Sequence, residues 1–262
     1  MPRTAMCRLA AVLYVSLLCS SLPARAESEP PIAAAADLKF ALTEVAERFQ
    51  RETGQALKLT FGSSGNFATQ LEQGAPFQLF FSADELFVQK LAAKGLTRDA
   101  GVRYAVGRIV VFVPHGSPLK ADDELRDLKA SLADGRLKRF AIANPEHAPY
   151  GRRAMEALRH AGIWDAIRPR LVLGENIAQA AQFATSGGSE GGIIALSLAK
   201  APELAKLGNY AIIPESWHEP LLQRMVLMKS ATAPAEAFYR YVQSPQARAI
   251  LREYGFVLPD EQ

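Results

Sequence analysis

The fold of this chain is decided by one stretch, Phe61-Gly62-Ser63-Ser64-Gly65-Asn66-Phe67-Ala68-Thr69-Gln70-Leu71. Residues 57–61 are predicted to form a strand, residues 62–65 a tight turn, and residues 66–72 a helix whose apolar side chains share one face. The two serines therefore stand where a helix begins, beside backbone N–H groups that have no partner within the helix. Such a helix end carries a partial positive charge and can hold an anion. The alternative interpretation is that Ser63 or Ser64 only caps the helix.

The first 26 residues are predicted to be a secretory signal peptide. Arg3 and Arg8 give a basic start, residues 9–18 form an apolar run, and Ala24-Arg25-Ala26 is a small-x-small cleavage site. The apolar run is too short to span a bilayer comfortably. Both cysteines of the chain lie in this segment, so the mature protein is expected to have no disulfide and no thiolate metal site. We therefore expect the mature protein in the periplasm.

The mature chain is predicted to be electrically balanced. The full sequence has 30 lysines and arginines against 27 aspartates and glutamates, which gives a formal net charge of +3 at pH 7. Three arginines fall in the predicted signal peptide and account for this excess. Such a balance argues against a nucleic-acid partner or a polybasic membrane surface. An anion would have to be held by local dipoles rather than by global charge.

Short apolar runs alternate with amphipathic segments along the mature chain, which is typical of an α/β protein. Strands are predicted at 31–35, 77–81 and 109–114, among others. The segment Ser82-Ala83-Asp84-Glu85 fits a capping box with Ser82 as the N-cap of the next helix. Residues 234–254 are predicted to form one closing helix. The placement of the runs suggests two lobes.

Further motifs resemble, in order along the chain, those of the molybdate-binding proteins of bacterial ABC importers. They are Ala33-Ala34-Ala35-Ala36-Asp37-Leu38, Gly74-Ala75-Pro76, Ser82-Ala83-Asp84, residues 107–114, Asn144-Pro145-Glu146-His147-Ala148-Pro149-Tyr150-Gly151, Gly174-Glu175-Asn176-Ile177, Gly192-Ile193-Ile194 and the tail at 238–256. This resemblance covers nearly all of the mature chain. It implies a two-lobed periplasmic-binding-protein fold of type II, with two mixed sheets flanked by helices and the ligand cleft between the lobes. It places residues 27–108 and 224–262 in lobe I and residues 109–223 in lobe II.

The resemblance also implies a function. It describes a monomeric solute-binding protein, not an enzyme, that needs no cofactor, binds molybdate or tungstate, and delivers the ion to an inner-membrane permease. The alternative ligand is another tetrahedral oxyanion, namely phosphate, phosphonate or sulfate. A fully deprotonated oxyanion offers only acceptors, so its site needs donors, and converging helix N-termini supply them without a full counter-charge. Four candidate helix starts lie around Asp37, Ser64, Tyr150 and Ile177.

Two of the candidate ligand residues, Ser64 and Ile177, follow the family pattern. Ser64 aligns with a serine that binds the oxyanion in the family, and Ser63 is its neighbour. Ile177 matches a position that contributes its backbone N–H, so its apolar side chain is no objection. The alternative for Ile177 is a core isoleucine, and both roles are compatible.

Two positions depart from that pattern. Asp37 stands where the family commonly has serine. Its carboxylate is expected to turn aside and cap its helix, unless the anion is protonated and donates to it. Ala195 stands where the family often has a tyrosine whose hydroxyl reaches the anion, and Tyr150 is predicted to supply that hydroxyl from another direction. The alternative for Tyr150 is an exposed loop tyrosine. Arg152 and Arg153 follow it closely and are candidates for a pocket contact, and the alternative for them is a solvated helix face.

A serine hydrolase is the alternative from another class of function. Gly187-Gly188-Ser189-Glu190-Gly191 matches the G-x-S-x-G nucleophile elbow, which needs a strand before it and a helix after it. Here a predicted helix precedes the motif and a predicted strand follows it. The four histidines show no metal-binding spacing, and among them only His218 follows Ser189. No catalytic or metal-ligating residue is therefore predicted.

Overall fold

The structure is a computed structural model that describes residues 29–261, so the predicted signal peptide lies outside the described residues. The strands are β1 (Pro31–Ala35), β2 (Lys58–Gly62), β3 (Leu79–Ser82), β4 (Val102–Gly107), β5 (Ile109–Pro114), β6 (Phe140–Ala143), β7 (Leu171–Gly174), β8 (Gly192–Ala195), β9 (Gly208–Ile212) and β10 (Leu221–Leu227). The helices are α1 (Lys39–Thr53), α2 (Ser64–Glu72), α3 (Glu85–Ala93), α4 (Arg126–Ala133), α5 (Pro149–His160), α6 (Trp164–Ile167), α7 (Ile177–Thr185), α8 (Leu196–Ala199), α9 (Pro202–Ala205), α10 (Ala233–Tyr241) and α11 (Pro245–Glu253). Within residues 29–261, none of these helices has the length and apolar character needed to cross a membrane.

The strands form two five-stranded sheets, and both sheets are mixed. The first has the order β2-β1-β3-β10-β4, with β1 parallel to β2 and β3 and with β10 antiparallel to β3 and β4. The second has the order β7-β6-β8-β5-β9, with β6 parallel to β7 and β8 and with β5 antiparallel to β8 and β9. The prediction of an α/β protein with two mixed sheets flanked by helices is confirmed.

The first sheet is buried on both faces, as β3 illustrates. Leu79 and Phe81 pack into an apolar cluster formed with α1, α10 and α11. Phe80, between them, packs into a second cluster formed with α2 and α3. Successive side chains of a strand point to opposite faces, so a strand covered on both sides reads as a continuous apolar run. This explains why β3 carries little polarity.

The chain passes between the sheets twice. Only Arg108 separates β4, in the first sheet, from β5, in the second. The return runs from β9 to β10 through residues 213–220. Leu221 already pairs with Gly107 of β4. The resemblance places residues 221–223 in the second lobe. In the structure they are the first residues of β10 and pair with β4 in the first sheet.

Two local predictions were wrong at helix boundaries. The closing segment forms two helices, α10 and α11, because Pro245 has no N–H and disfavours helical backbone at the residue before it. The side chain of Ser244 then caps α11. At α3 the N-cap is Asp84, whose carboxylate accepts from the N–H of Leu86 at 2.9 Å. The hydroxyl of Ser82, the predicted cap, instead donates to the carbonyl of Asp84.

Candidate functional site

Four helical segments begin around one small cavity. A 3-10 turn at Ala36–Leu38 leads into α1, while α2 begins at Ser64, α5 at Pro149 and α7 at Ile177. The cavity that they enclose in this closed arrangement is very small, about 10 Å³. Its lining includes all five residues that the sequence singled out, Asp37, Ser63, Ser64, Tyr150 and Ile177. The fold thus brings together helix starts from distant parts of the chain.

Backbone donors at three of these starts have no side-chain cap. Ala35 precedes the turn, Ser63 precedes α2 and Ala148 precedes α5. The side chains of these residues make no capping hydrogen bond. At α7, the Asn176 side chain accepts from the two N–H groups that follow Ile177. The first N–H groups of a helix have no acceptor within it, so uncapped ends facing a cavity can donate to an anion. The contacts therefore do not support the interpretation that Ser63 or Ser64 only caps α2.

Ser64 is held with its hydroxyl oxygen in a fixed place. Its Oγ accepts a hydrogen bond from the N–H of Ala83 at 3.0 Å, and the residue is buried. A serine hydroxyl has one donor in addition to its acceptor lone pairs. Because Ala83 uses an acceptor position, the O–H of Ser64 remains able to donate into the cavity.

Ser63 and Gly65 contact His147 across the cleft, and we name these three residues the interlobe latch. The Ser63 hydroxyl donates to the backbone carbonyl of His147 at 2.6 Å, and its Oγ lies 3.1 Å from Nδ1 of the same residue. The N–H of Gly65 donates to the same carbonyl at 3.1 Å. A Cβ at Gly65 would lie 2.4 Å from that oxygen, so the approach requires glycine. In this closed arrangement the Ser63 proton is engaged by the latch rather than free for a ligand.

Asp37 lies in a buried polar network. Its Oδ2 accepts from the Tyr150 hydroxyl at 3.0 Å and from Nε2 of Gln223 at 2.7 Å. Oε1 of Gln223 in turn accepts from the Tyr104 hydroxyl at 2.7 Å, and the Ser197 hydroxyl donates to the Asp37 carbonyl at 2.8 Å. The other carboxylate oxygen, Oδ1, is buried and has no partner within the described residues.

Burial sets the protonation of this network. Desolvation raises the pKa of Asp37 from 3.8 to about 6, although the hydrogen bonds from Gln223 and Tyr150 act in the opposite direction. Burial and the nearby Asp37 charge raise the pKa of Tyr150 and of Tyr104 well above 10.0. Both tyrosines therefore stay protonated at neutral pH and remain donors.

The expected behaviour of Asp37 and the exposed alternative for Tyr150 are both wrong in this structure. The Asp37 side chain makes no capping bond at the turn or at α1, and its Oδ2 instead accepts from Tyr150 and Gln223. Tyr150 is only 2% exposed, and its hydroxyl proton is directed to Asp37. Ala195 is buried at the end of β8 and brings no donor. For Tyr150 to bind an anion in place of a tyrosine at 195, its hydroxyl must turn away from Asp37.

The sequence analysis missed Gln223, Tyr104 and Ser197. Gln223 is fully buried in β10, where the other side chains that share its inward face are apolar. A glutamine among inward-facing apolar residues is a signal, since buried polar groups require partners. Tyr104 offered no such signal. It joins the network through its hydrogen bond to Gln223.

Arg152 and Arg153 bridge toward α3 and do not line the cavity. The Arg152 guanidinium packs 5.5 Å from the centre of the Phe87 ring. Arg153 pairs with Glu156 at 2.6 Å, lies 3.9 Å from Asp84, and is mostly buried. Both expectations for these arginines, a contact with the pocket and a solvated helix face, therefore differ from their positions in the structure.

Ser189 lies in a loop between α7 and β8, so the element order is the reverse of a nucleophile elbow. Its hydroxyl contacts the carbonyl of Gly191 at 2.9 Å. No cluster of three or more metal-ligating side chains occurs within residues 29–261.

Comparisons with known proteins agree with this geometry. The chain matches the family model described as bacterial extracellular solute-binding protein over residues 31–257. It is 35% identical over 240 residues to the molybdate-binding protein ModA of Rhodobacter capsulatus, covering 90% of this chain and 91% of that protein. It is 34% identical over 255 residues to ModA of Azotobacter vinelandii, with 96% and 97% covered.

A solved structure supports the fold. The periplasmic molybdate-binding protein of Azotobacter vinelandii matches with a TM-score of 0.80 and 31% identity, covering 88% of this chain and 100% of that one. This match confirms the predicted two-lobed fold of type II. The chain therefore belongs to the family of bacterial extracellular solute-binding proteins, as its resemblance to the molybdate-binding members predicted.

Proposed function

We propose that this protein binds molybdate, and also tungstate, between its lobes and delivers the ion to the permease of an ABC importer. The observation that carries the proposal is the convergence of four helix starts, three of them uncapped, on a cavity whose described lining holds no lysine, arginine or histidine. Such a site matches a small anion that accepts on all sides. The relatives named as molybdate-binding proteins support the identity of the ligand.

Within this proposal each candidate residue has a role. Ser64 donates its free hydroxyl, and Ile177 donates its backbone N–H, which the Asn176 cap leaves unused. Tyr150 donates after its hydroxyl turns from Asp37, and thereby replaces the donor that Ala195 lacks. Ser63 contributes mainly through the latch and the backbone at the start of α2.

Closure of the two lobes over the anion would present a shape that the permease recognises. We assign lobe I to residues 27–108 together with the return segment, and lobe II to the residues between them. The pairing of Leu221 with Gly107 supports moving the second boundary from 224 to 221. The protein acts in the periplasm as a monomer, without cofactor, catalysis or nucleic-acid partner. Its export agrees with a family of extracellular solute-binding proteins.

A second candidate ligand is a protonated oxyanion such as hydrogen phosphate. It is favoured by one observation, the buried Oδ1 of Asp37, which has no donor within the described residues. An anion that carries a proton could donate to this oxygen. The serine-hydrolase alternative has no comparable support, since within residues 29–261 the Ser189 hydroxyl hydrogen-bonds to backbone carbonyls only.

Calorimetric titration of the ligand-free mature protein with molybdate, tungstate, sulfate and phosphate tests the proposal. Molybdate and tungstate are expected to bind and to raise the melting temperature strongly, while phosphate hardly does so, because stabilisation follows ligand concentration over dissociation constant. If phosphate stabilises the protein as well as molybdate, the second candidate ligand is correct. Ester turnover that disappears in Ser189→Ala would instead support the hydrolase.

A further inference from the structure

The two oxygens of the Asp37 carboxylate are in different situations. Oδ2 accepts two hydrogen bonds, from Tyr150 and Gln223, whereas Oδ1 accepts no well-aligned hydrogen bond from the described residues. The backbone N–H groups of Asp37 and Leu38 lie near the carboxylate and act to lower its pKa, but less than the hydrogen bonds from Gln223 and Tyr150 do. Asp37 is 1% exposed and lines the cavity proposed for the anion. A buried polar atom without a partner is costly, so it points to a ligand or a change of protonation.

No cation offsets the Asp37 charge within the described residues. Asp37 forms no ion pair there, and the titratable groups that face it are the hydroxyls of Tyr150 on α5 and, through Gln223, of Tyr104 on β4. Neither α7 nor α8 carries a charged residue, and β2 has only Lys58, at its far end. The nearest charged side chains on the neighbouring elements contact other groups. Lys39 lies over the Phe40 ring, and Arg153 pairs with Glu156. Arg103 and Arg224 both pair with Glu85, and Asp84 caps the start of α3.

A dianion and an ionised carboxylate would repel each other strongly in this water-poor space. We propose that the oxyanion binds together with one proton, which Asp37 takes up from solvent so that its Oδ1–H donates a hydrogen bond to the anion. This inference rests on the proposed function of the site. The proton is directed to Oδ1, since Oδ2 accepts from Gln223 even after the Tyr150 hydroxyl has turned to the anion. In the bound state, the carboxylate and the proton form a neutral carboxylic acid, which lies beside the dianion.

The protonation state of the ligand-free protein fixes the direction of the pH dependence. Burial raises the pKa of Asp37 to about 6, and a bound dianion raises it further by repulsion. Between this value and the higher pKa of the bound site, the free carboxyl is ionised and the bound one is protonated, so each binding event takes up a proton and affinity falls about tenfold for each pH unit. Below the pKa of the free site the carboxyl is already neutral, and affinity becomes independent of pH.

Molybdate titrations in buffers of different ionisation enthalpy, at one pH about two units above the Asp37 pKa, count the protons directly. The parent protein is expected to take up about one proton for each ion bound. Asp37→Asn is expected to take up none and to bind with an affinity that does not change with pH, because the amide already supplies a neutral donor. Ser64→Ala is the matched control: it should bind more weakly and still take up the proton.

An infrared difference spectrum locates the proton independently of any folding defect in the variant. The parent complex should show the carbonyl stretch of a protonated carboxyl, and this band should be absent from Asp37→Asn. Binding of molybdate without proton uptake, or uptake without that band, would overturn the inference and leave the proposed function standing. Failure of molybdate and tungstate to bind at any pH would instead overturn the proposed function.

Discussion

Replacing Asp37 with asparagine is expected to stabilise the ligand-free protein at neutral pH and much less in acid. The substitution keeps the shape of the side chain, leaves an acceptor for Tyr150 and Gln223, and removes the buried charge. Burial raises the pKa of Asp37 from 3.8 to about 6, and each pKa unit corresponds to about 1.4 kcal/mol. The ionised carboxylate therefore lowers the free energy of unfolding of the closed protein by about 3 kcal/mol at pH 7.

The sign of this effect follows from the two pKa values. Below 3.8 the carboxyl is protonated in the folded and the unfolded chain, so its ionisation has no effect on stability. Between 3.8 and about 6 the unfolded chain loses its proton first, and the folded state becomes progressively less favourable. Above about 6 the destabilisation is complete.

Urea unfolding of the parent protein and of Asp37→Asn, at about pH 4 and about pH 7.5, measures this difference. The stability advantage of the variant should be larger by about 2.4 kcal/mol at the higher pH, because the unfolded carboxyl is already partly ionised at the lower one. Any cost of the new amide group is present at both values and cancels. Asp123→Asn, at an exposed residue that forms no ion pair within the described chain, should show no such change. An advantage independent of pH would show that the Asp37 carboxylate is hydrated in the ligand-free protein, contrary to the closed arrangement.

Three further variants test the site by titration with molybdate. Gly65→Ala should weaken binding at least tenfold while leaving the melting temperature of the ligand-free protein nearly unchanged, because its Cβ would meet the His147 carbonyl at 2.4 Å and hinder closure. Ser64→Ala should weaken binding by about 1–3 kcal/mol, and an unchanged affinity would contradict the role of its hydroxyl. Tyr150→Phe should weaken binding by about 0.5–3 kcal/mol. Tyr210→Phe, at a residue that is 38% exposed on β9, should have no effect.

The helix starts of the site could be predicted from the sequence because their signals are local. The glycines and serines at 62–65 interrupt an apolar pattern of period two and precede one of helical period. The helix begins at Ser64, two residues before the predicted start, since Ser64 and Gly65 already have helical backbone.

The contacts of Asp37 could not be predicted in the same way, because they join distant parts of the chain. Tyr150 is 113 positions and Gln223 is 186 positions away from Asp37. Gln223 reaches Asp37 because β10 inserts between β3 and β4, and Tyr150 reaches it because α5 begins at the same cavity. Local patterning specifies each strand, but the order of strands in a sheet depends on how the whole chain packs. The expectation that Asp37 would cap its own helix failed for this reason.

The interlobe latch bears on how quickly a captured ion can leave. One carbonyl oxygen, that of His147, accepts from both Ser63 and Gly65, so the two hydrogen bonds must break in the same opening movement. Contacts that exist only in the closed form lengthen the residence time of the ion without touching it, because dissociation must wait for opening. A transporter that separates α2 from the loop before α5 would remove both bonds at once. Unloading would then be governed by mechanical engagement of the two lobes rather than by competition for the ion.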